Sequence, residues 1–155
     1  MAGYQLTYNV DMVFCIDSTG SMRHVLDFVK QNALNLYQDI TREMEKKHKT
    51  IHQLRVKVIA FRDYIADGEE AMLSSDFFTL PEQAEMLRDC VEGIHAKGGG
   101  DIPEDGLEAL AYAIRSDWTR EGVKKRHIIV VWSDAPTHEL GHGKIAPWYP
   151  EGIDR

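Results

Sequence analysis

Two hydrophobic rhythms alternate along the chain. Val10-Asp11-Met12-Val13-Phe14-Cys15-Ile16 is a short, nearly continuous apolar run that stops at Asp17 and the turn-forming Ser18-Thr19-Gly20-Ser21. Such a run reads as a strand covered on both faces, as in a parallel sheet. From Met22 the period changes. Met22, Val25, Leu26, Val29, Ala33, Leu36, Tyr37, Ile40 and Met44 recur at spacings of three and four, which predicts a long amphipathic helix reaching Lys47. Residues 54–61 predict a second strand, residues 62–70 a polar connection, and Phe77-Phe78 the centre of a weaker strand. Pro81 suits the first turn of the next helix, with Glu82 and Glu85 near its positive end. Ala84, Leu87, Cys90, Val91 and Ile94 form that helix's buried stripe, and Gly98-Gly99-Gly100 is expected to end it. Leu107, Leu110, Ala111 and Ile114 mark a further helix starting at Pro103 or Glu104, and residues 127–132 form the most apolar strand of all.

The resulting order, β-α-β-β-α-α-β, predicts one α/β domain over residues 1–155, with a mostly parallel sheet and helices on both faces. Neither an internal repeat nor a linker interrupts it. A length of 155 residues is enough for one sizeable core.

Composition narrows the partners. The net charge is −7, which argues against broad binding to nucleic acid or to anionic membranes, since both need concentrated positive charge. The basic runs at Lys46-Lys47-His48-Lys49 and Lys124-Lys125-Arg126-His127 fall at element edges and read as solvated ends. No charged segment followed by an apolar one opens the chain, and no apolar run approaches a membrane span. Cys15 in a strand and Cys90 on a helix are expected to be buried free thiols. A cytoplasmic protein is the expectation.

Candidate chemistry sits where strands end, because ligands of open parallel sheets bind outside the carboxyl ends. Asp17-Ser18-Thr19-Gly20-Ser21-Met22 follows the first strand, Ser133-Asp134 follows the last, and Gly98 to Gly106 lies between two helices. These loops bring carboxylates and hydroxyls, hard oxygen donors that suit Mg²⁺ or Mn²⁺ better than zinc. Each alone has a plainer reading: Asp17, Ser18 and Thr19 as helix caps, the glycines as a helix stop, Asp134 as a turn residue.

His138-Glu139-Leu140-Gly141-His142 matches H-E-x-x-H, which in zinc hydrolases places two imidazoles one helical turn apart with a glutamate as general base. Against that reading, Gly141, Gly143 and Pro147 oppose a helix. The third ligand would have to be Glu151 or Asp154 folding back, or a distant His24 or His95. A phosphoryl-accepting Asp17 of the D-x-D type lacks its general acid, since residue 19 is Thr.

Asp17-Ser18-Thr19-Gly20-Ser21-Met22 resembles the metal-ion-dependent adhesion site of von Willebrand factor type A domains, whose signature is D-x-S-x-S, often continued as G-S-M. Thr19 stands in place of the first Ser. Asp101, in Gly99-Gly100-Asp101 ahead of Leu107-Glu108-Ala109-Leu110, sits where the family places a Thr ligand, and Asp134 where it places its last Asp. The pairing of G-G-D-x-P-E-D with D-A-P-x-H is similar to a branch of the family found in bacterial proteins and beside some atypical kinases. The resemblance implies a doubly wound sheet with Mg²⁺ (or Mn²⁺ or Ca²⁺) at its top edge, bound by Thr19 and Ser21 directly and by Asp17, Asp101 and Asp134 directly or through water. It implies a binding module without chemistry of its own, whose protein partner completes the metal shell with an acidic side chain. Asp101 in place of Thr adds a negative charge, tightening the metal and weakening the pull on that acid. The family adds two strand–helix units after the fourth strand. Here those units are expected either to have been removed or to be replaced by another chain or copy, through dimerisation or domain swapping, covering the apolar edge strand.

Overall fold

The computed structural model describes residues 6–99, 103–122 and 124–155. Its sheet is mostly parallel. Strand β1 (Leu6–Asp17) lies at the centre, flanked by β2 (Lys49–Phe61) and β5 (Lys125–Trp132), both parallel to it. Two short strands, β3 (Met72–Ser74) and β4 (Phe78–Leu80), pair antiparallel with the upper and lower halves of β2. They replace the one weak strand expected around Phe77-Phe78. Long α1 (Leu26–Lys46) follows β1, a single turn α2 (Tyr64–Asp67) follows β2, and α3 (Ala84–Glu92) and α4 (Gly106–Ile114) precede β5.

The continuous apolar run of β1 serves two cores. Val10, Met12, Phe14 and Ile16 face Leu26, Val29 and Ala33 of α1 and Leu87 and Val91 of α3. The intervening Val13 and Cys15 join Ile59 and Phe61 against Ala109 and Ala113 of α4. A strand buried on both faces cannot alternate polar and apolar residues, which is why this one is legible as a run. Burial pushes the Cys15 thiol up to about 12, so it stays protonated. Cys90 is also a free thiol but only half-buried, where full burial was expected.

Several boundaries differ from the hydrophobic pattern: β1 and β2 begin earlier, at Leu6 and Lys49, and α4 begins at Gly106 rather than at Pro103 or Glu104. A short 3-10 turn, Gly20–Met22, precedes α1, which starts at Leu26 rather than Met22. Pro81 lies ahead of α3 rather than in its first turn. Helix α3 stops at Glu92 with Gly93 as its C-cap, so Gly98 and Gly99 are not its stop signal.

Strand register places the functional edge. Asp17 is level with Phe61 of β2, and Ile16 with Trp132 of β5. Residues 18–21, 62–63 and 133–134 therefore emerge side by side. Strand β5 has β1 as its neighbour on one side; its other edge is unpaired among the described residues, with Val131 47% exposed.

At nine residues, α4 is about 14 Å long and cannot cover the full odd-numbered face of β1. The uncovered half is polar: Arg55 of β2 grips Asp11 through Nε at 2.9 Å and Nη2 at 2.7 Å, and the Thr119 backbone N–H donates to the same carboxylate at 2.6 Å. Burial alone would raise the Asp11 pKa, but the hydrogen bonds from Arg55 and Thr119 outweigh it and hold the group below its ordinary 3.8. A carboxylate depressed in the folded state stabilises the fold above its unfolded pKa and loses that contribution as pH falls through the folded value. Acid unfolding followed by circular dichroism should therefore show the wild type losing stability below about pH 4, with a shallower acid limb in Asp11→Asn.

Candidate functional site

Asp17 ends β1 fully buried, and both its oxygens are engaged. Oδ1 accepts from the Thr19 backbone N–H at 3.0 Å and the Thr19 hydroxyl at 2.7 Å; Oδ2 accepts from the Ser133 hydroxyl at 2.8 Å. The Ser21 hydroxyl donates to Asp134 Oδ1 at 3.2 Å. Thr19 Oγ1 and Ser21 Oγ stand 3.2 Å apart. Each hydroxyl has one proton, so two protons serve the three contacts Asp17–Thr19, Thr19–Ser21 and Ser21–Asp134, and the cluster is one donor short. Four of the five expected metal-site residues are thus brought together; Asp101 lies outside the described residues. Helix capping does not explain them: Thr19 makes no cap bond, and Val25 occupies the cap position of α1. Ser133 joins the cluster without having been singled out, although its place at a strand end was signal enough.

A buried cation fastens the loops below. Arg62, 2% exposed, donates through Nε to Ser18 O at 3.1 Å, through Nη1 to Glu70 O at 2.8 Å and through Nη2 to His95 O at 2.7 Å. Burial lowers its pKa, opposed by the charges of Asp67, Glu70 and Asp17. Next to it Asp63 caps α2, accepting from the backbone of Ile65 at 2.8 Å and Ala66 at 3.0 Å. Both Asp67 oxygens accept from the Gly99 N–H at 3.0 Å. Gly98 and Gly99 have φ of 69° and 88°, and a Cβ on Gly98 would lie 1.8 Å from Asp67 Oδ1. The glycines thus serve close approach and left-handed backbone. Residues 62 and 63, expected in a polar connection, are buried core residues of this edge.

Glu104 and His138 complete it. The backbones of both interlock, Glu104 N donating to Pro136 O at 3.1 Å and His138 N to Glu104 O at 2.7 Å. His138 Nδ1 lies 3.0 Å from Asp105 Oδ1 and 3.7 Å from Asp63 Oδ2, and its ring stacks on His142 with centroids 3.9 Å apart. The H-E-x-x-H letters lie in a loop of turns, without the helix that their zinc geometry requires. No three His, Cys, Asp or Glu side chains among the described residues converge as a metal cluster. The oxygen cluster instead combines two carboxylates with hydroxyls.

Glu104 is 4% exposed, and its Oε2 has no hydrogen-bond partner among the described residues. Burial, and then the charges of Asp17, Asp63 and Asp67, push its carboxyl up to about 8 against a weaker opposite pull from His138.

No family model matches the chain. It is 27% identical over 138 residues to a putative ariadne-like RING finger protein of Acanthamoeba polyphaga mimivirus, covering 87% of this chain and 12% of that protein. It is 25% identical over 143 residues to the alpha-protein kinase vwkA of Dictyostelium discoideum, covering 92% of this chain and 21% of the kinase. The chain thus spans only 12% and 21% of the lengths of these two relatives. Among solved structures, the pilus adhesin SpaC of Lactobacillus rhamnosus GG shares the fold, with a TM-score of 0.56 at 16% identity over 85% of this chain and 16% of the adhesin. No helix among the described residues is long and apolar enough to cross a membrane.

Two outcomes follow from the platform. Arg62→Met keeps the apolar stem but leaves three carbonyls without their donor, and hydrogen bonds to a charged group are worth about 1.5–3 kcal/mol each. Urea unfolding should show a loss of about 3 kcal/mol or more; a loss under about 1 kcal/mol would contradict the fastening role. Glu104 holds a proton in the folded state that the unfolded chain releases near pH 4.5, so its contribution to stability falls as pH rises from there to about 8. In chelator, the wild type should lose stability across that window more steeply than Glu104→Gln.

Proposed function

We propose that the chain is a divalent-cation-dependent protein-interaction module with the site arrangement of a von Willebrand factor type A domain. Asp17, Thr19, Ser21 and Asp134 would hold the cation, with Asp101 as a fifth ligand. The observation that carries this reading is the donor-poor cluster. Its neighbouring oxygens are separated by 2.7 to 3.2 Å. Adjacent oxygens around an octahedral Mg²⁺ with bonds of 2.0–2.1 Å are about 3 Å apart. Mg²⁺ suits this donor set best, with Mn²⁺ and Ca²⁺ as chemical neighbours.

Exposure gives each residue its part. Asp17 and Thr19 are buried and fixed by the core, whereas Ser21 and Asp134 are exposed. The inner half anchors and the outer half opens to a partner. A bound cation supplies positive charge for a carboxylate oxygen of a protein ligand. The charge of Asp101 strengthens the hold on the cation and weakens the pull on that ligand, so neighbouring rim residues carry a larger share of recognition. The match to limited portions of a RING finger protein and a kinase supports the module reading, because proteins of such different names share this segment. The unpaired edge of β5 would pair with further strands of a longer chain or of a second copy. No observation favours a zinc hydrolase over this reading.

Isothermal titration of Mg²⁺ or Mn²⁺ into chelator-stripped protein should show one site per chain. Asp17→Ala, with its fold checked by circular dichroism, should weaken binding at least 100-fold. Superimposable titration curves for the two proteins would refute the site.

A further inference from the structure

Every carboxylate of the platform but one is supplied with donors. Asp17 receives the Thr19 N–H and two hydroxyls, Asp63 and Asp67 receive backbone N–H groups, and Asp105 receives the Tyr64 N–H at 2.6 Å. Glu104 is the exception: it is 4% exposed, and its Oε2 has no partner among the described residues. An unpaired buried acid oxygen costs free energy and calls for an explanation.

Its position gives one. A Cβ on Gly99 would meet Glu104 Oε1 at 3.1 Å and the Thr19 side chain at 3.2 Å. Glu104 Oε1 and the Cβ and methyl of Thr19 thus converge on the same point beside Gly99, and the carboxyl is near enough to Asp17 to feel its charge. Its backbone is clamped on both sides by residues 136 and 138, in the loop that carries Asp134. The group is held in place beside the site, from two directions, with acceptor capacity to spare.

We propose that Glu104 is a positioning residue of the cation site, its free oxygen accepting a hydrogen bond from a water bound to the cation held by Asp17, Thr19, Ser21 and Asp134. The inference rests on the proposed cation site. Mg²⁺ gives up its waters reluctantly and usually keeps several, and those waters need acceptors. Such outer-shell partners orient the inner shell, and removing one typically weakens metal binding about 10- to 100-fold.

The test is titration of Mg²⁺ and Mn²⁺ into the wild type, Glu104→Gln, Glu104→Asp and Glu108→Gln. Glu108 is a matched control: it is fully buried on α4 with its own unpartnered Oε2, but its other oxygen binds Gly141 N and the Tyr149 hydroxyl, outside the site. Glu104→Gln should weaken both metals at least tenfold, Glu104→Asp should recover part of that loss, and Glu108→Gln should bind like the wild type. Thermal unfolding supplies the second readout. In chelator Glu104→Gln should be no less stable than the wild type, and its stabilisation by Mg²⁺ should be smaller. Equal affinity of wild type and Glu104→Gln overturns this inference and leaves the site standing. So does a Glu104→Gln protein that is unfolded or strongly destabilised in chelator, since the acid would then be structural. Absence of any binding by the wild type overturns the site reading and this inference together.

Discussion

The guanidinium of Arg62 is the fastening on which the upper edge of the molecule depends. Three loops that are far apart in sequence end their carbonyls on it: residue 18 after β1, residue 70 after α2 and residue 95 after α3. Its own backbone extends the clamp, Arg62 N donating to Ala71 O at 2.7 Å and Arg62 O accepting from Asp105 N at 3.0 Å. A guanidinium suits this place because its donors diverge in a rigid plane and it stays charged when buried. A buried charge is tolerable only with such partners. Loss of any one loop would therefore leave the others bound to an unsatisfied ion, which makes their arrangement cooperative.

Much of this architecture is legible in the sequence, and the reasons are physical. A strand buried on both faces has no polar alternation, so β1 stands out as an apolar run; β5 reads as one too, although none of its residues is fully buried. Parallel strands in register bring their carboxyl ends to one edge, so Asp17 and Asp134 meet although 117 positions separate their numbers. The platform beneath was hidden for the opposite reason. Arg62, Asp63 and Asp67 are polar, and polarity predicts solvent unless the donors and acceptors that permit burial are known. Those partners lie on other loops. No local pattern announces them.

Glycine shows the same limit. Gly98 and Gly99 look like a helix stop, but α3 has already ended at Glu92. What they provide is positive φ and room for Asp67 and Thr19. H-E-x-x-H fails in the same way. Five letters carry the zinc geometry only when the backbone is helical, and here the segment turns. His138 is spent on Asp105 and on the backbone of Glu104, tying the loop after β5 to the start of α4.

The balance of charge gives these parts a common logic. Asp17, Asp63, Asp67, Glu104 and Asp105 are gathered around one buried arginine and one histidine. Negative charge is therefore in surplus. Most of the surplus is absorbed by directed N–H and O–H donors, which stabilise a carboxylate without cancelling its field. That field remains, and donors run short along the oxygens from Asp17 through Thr19 and Ser21 to Asp134. An oxygen cluster one donor short at a solvent-open edge is unfavourable in the bare protein, and the proposed cation would relieve it. The negative charge of the site is thus fixed by the core, and access to it is set by the exposed Ser21 and Asp134.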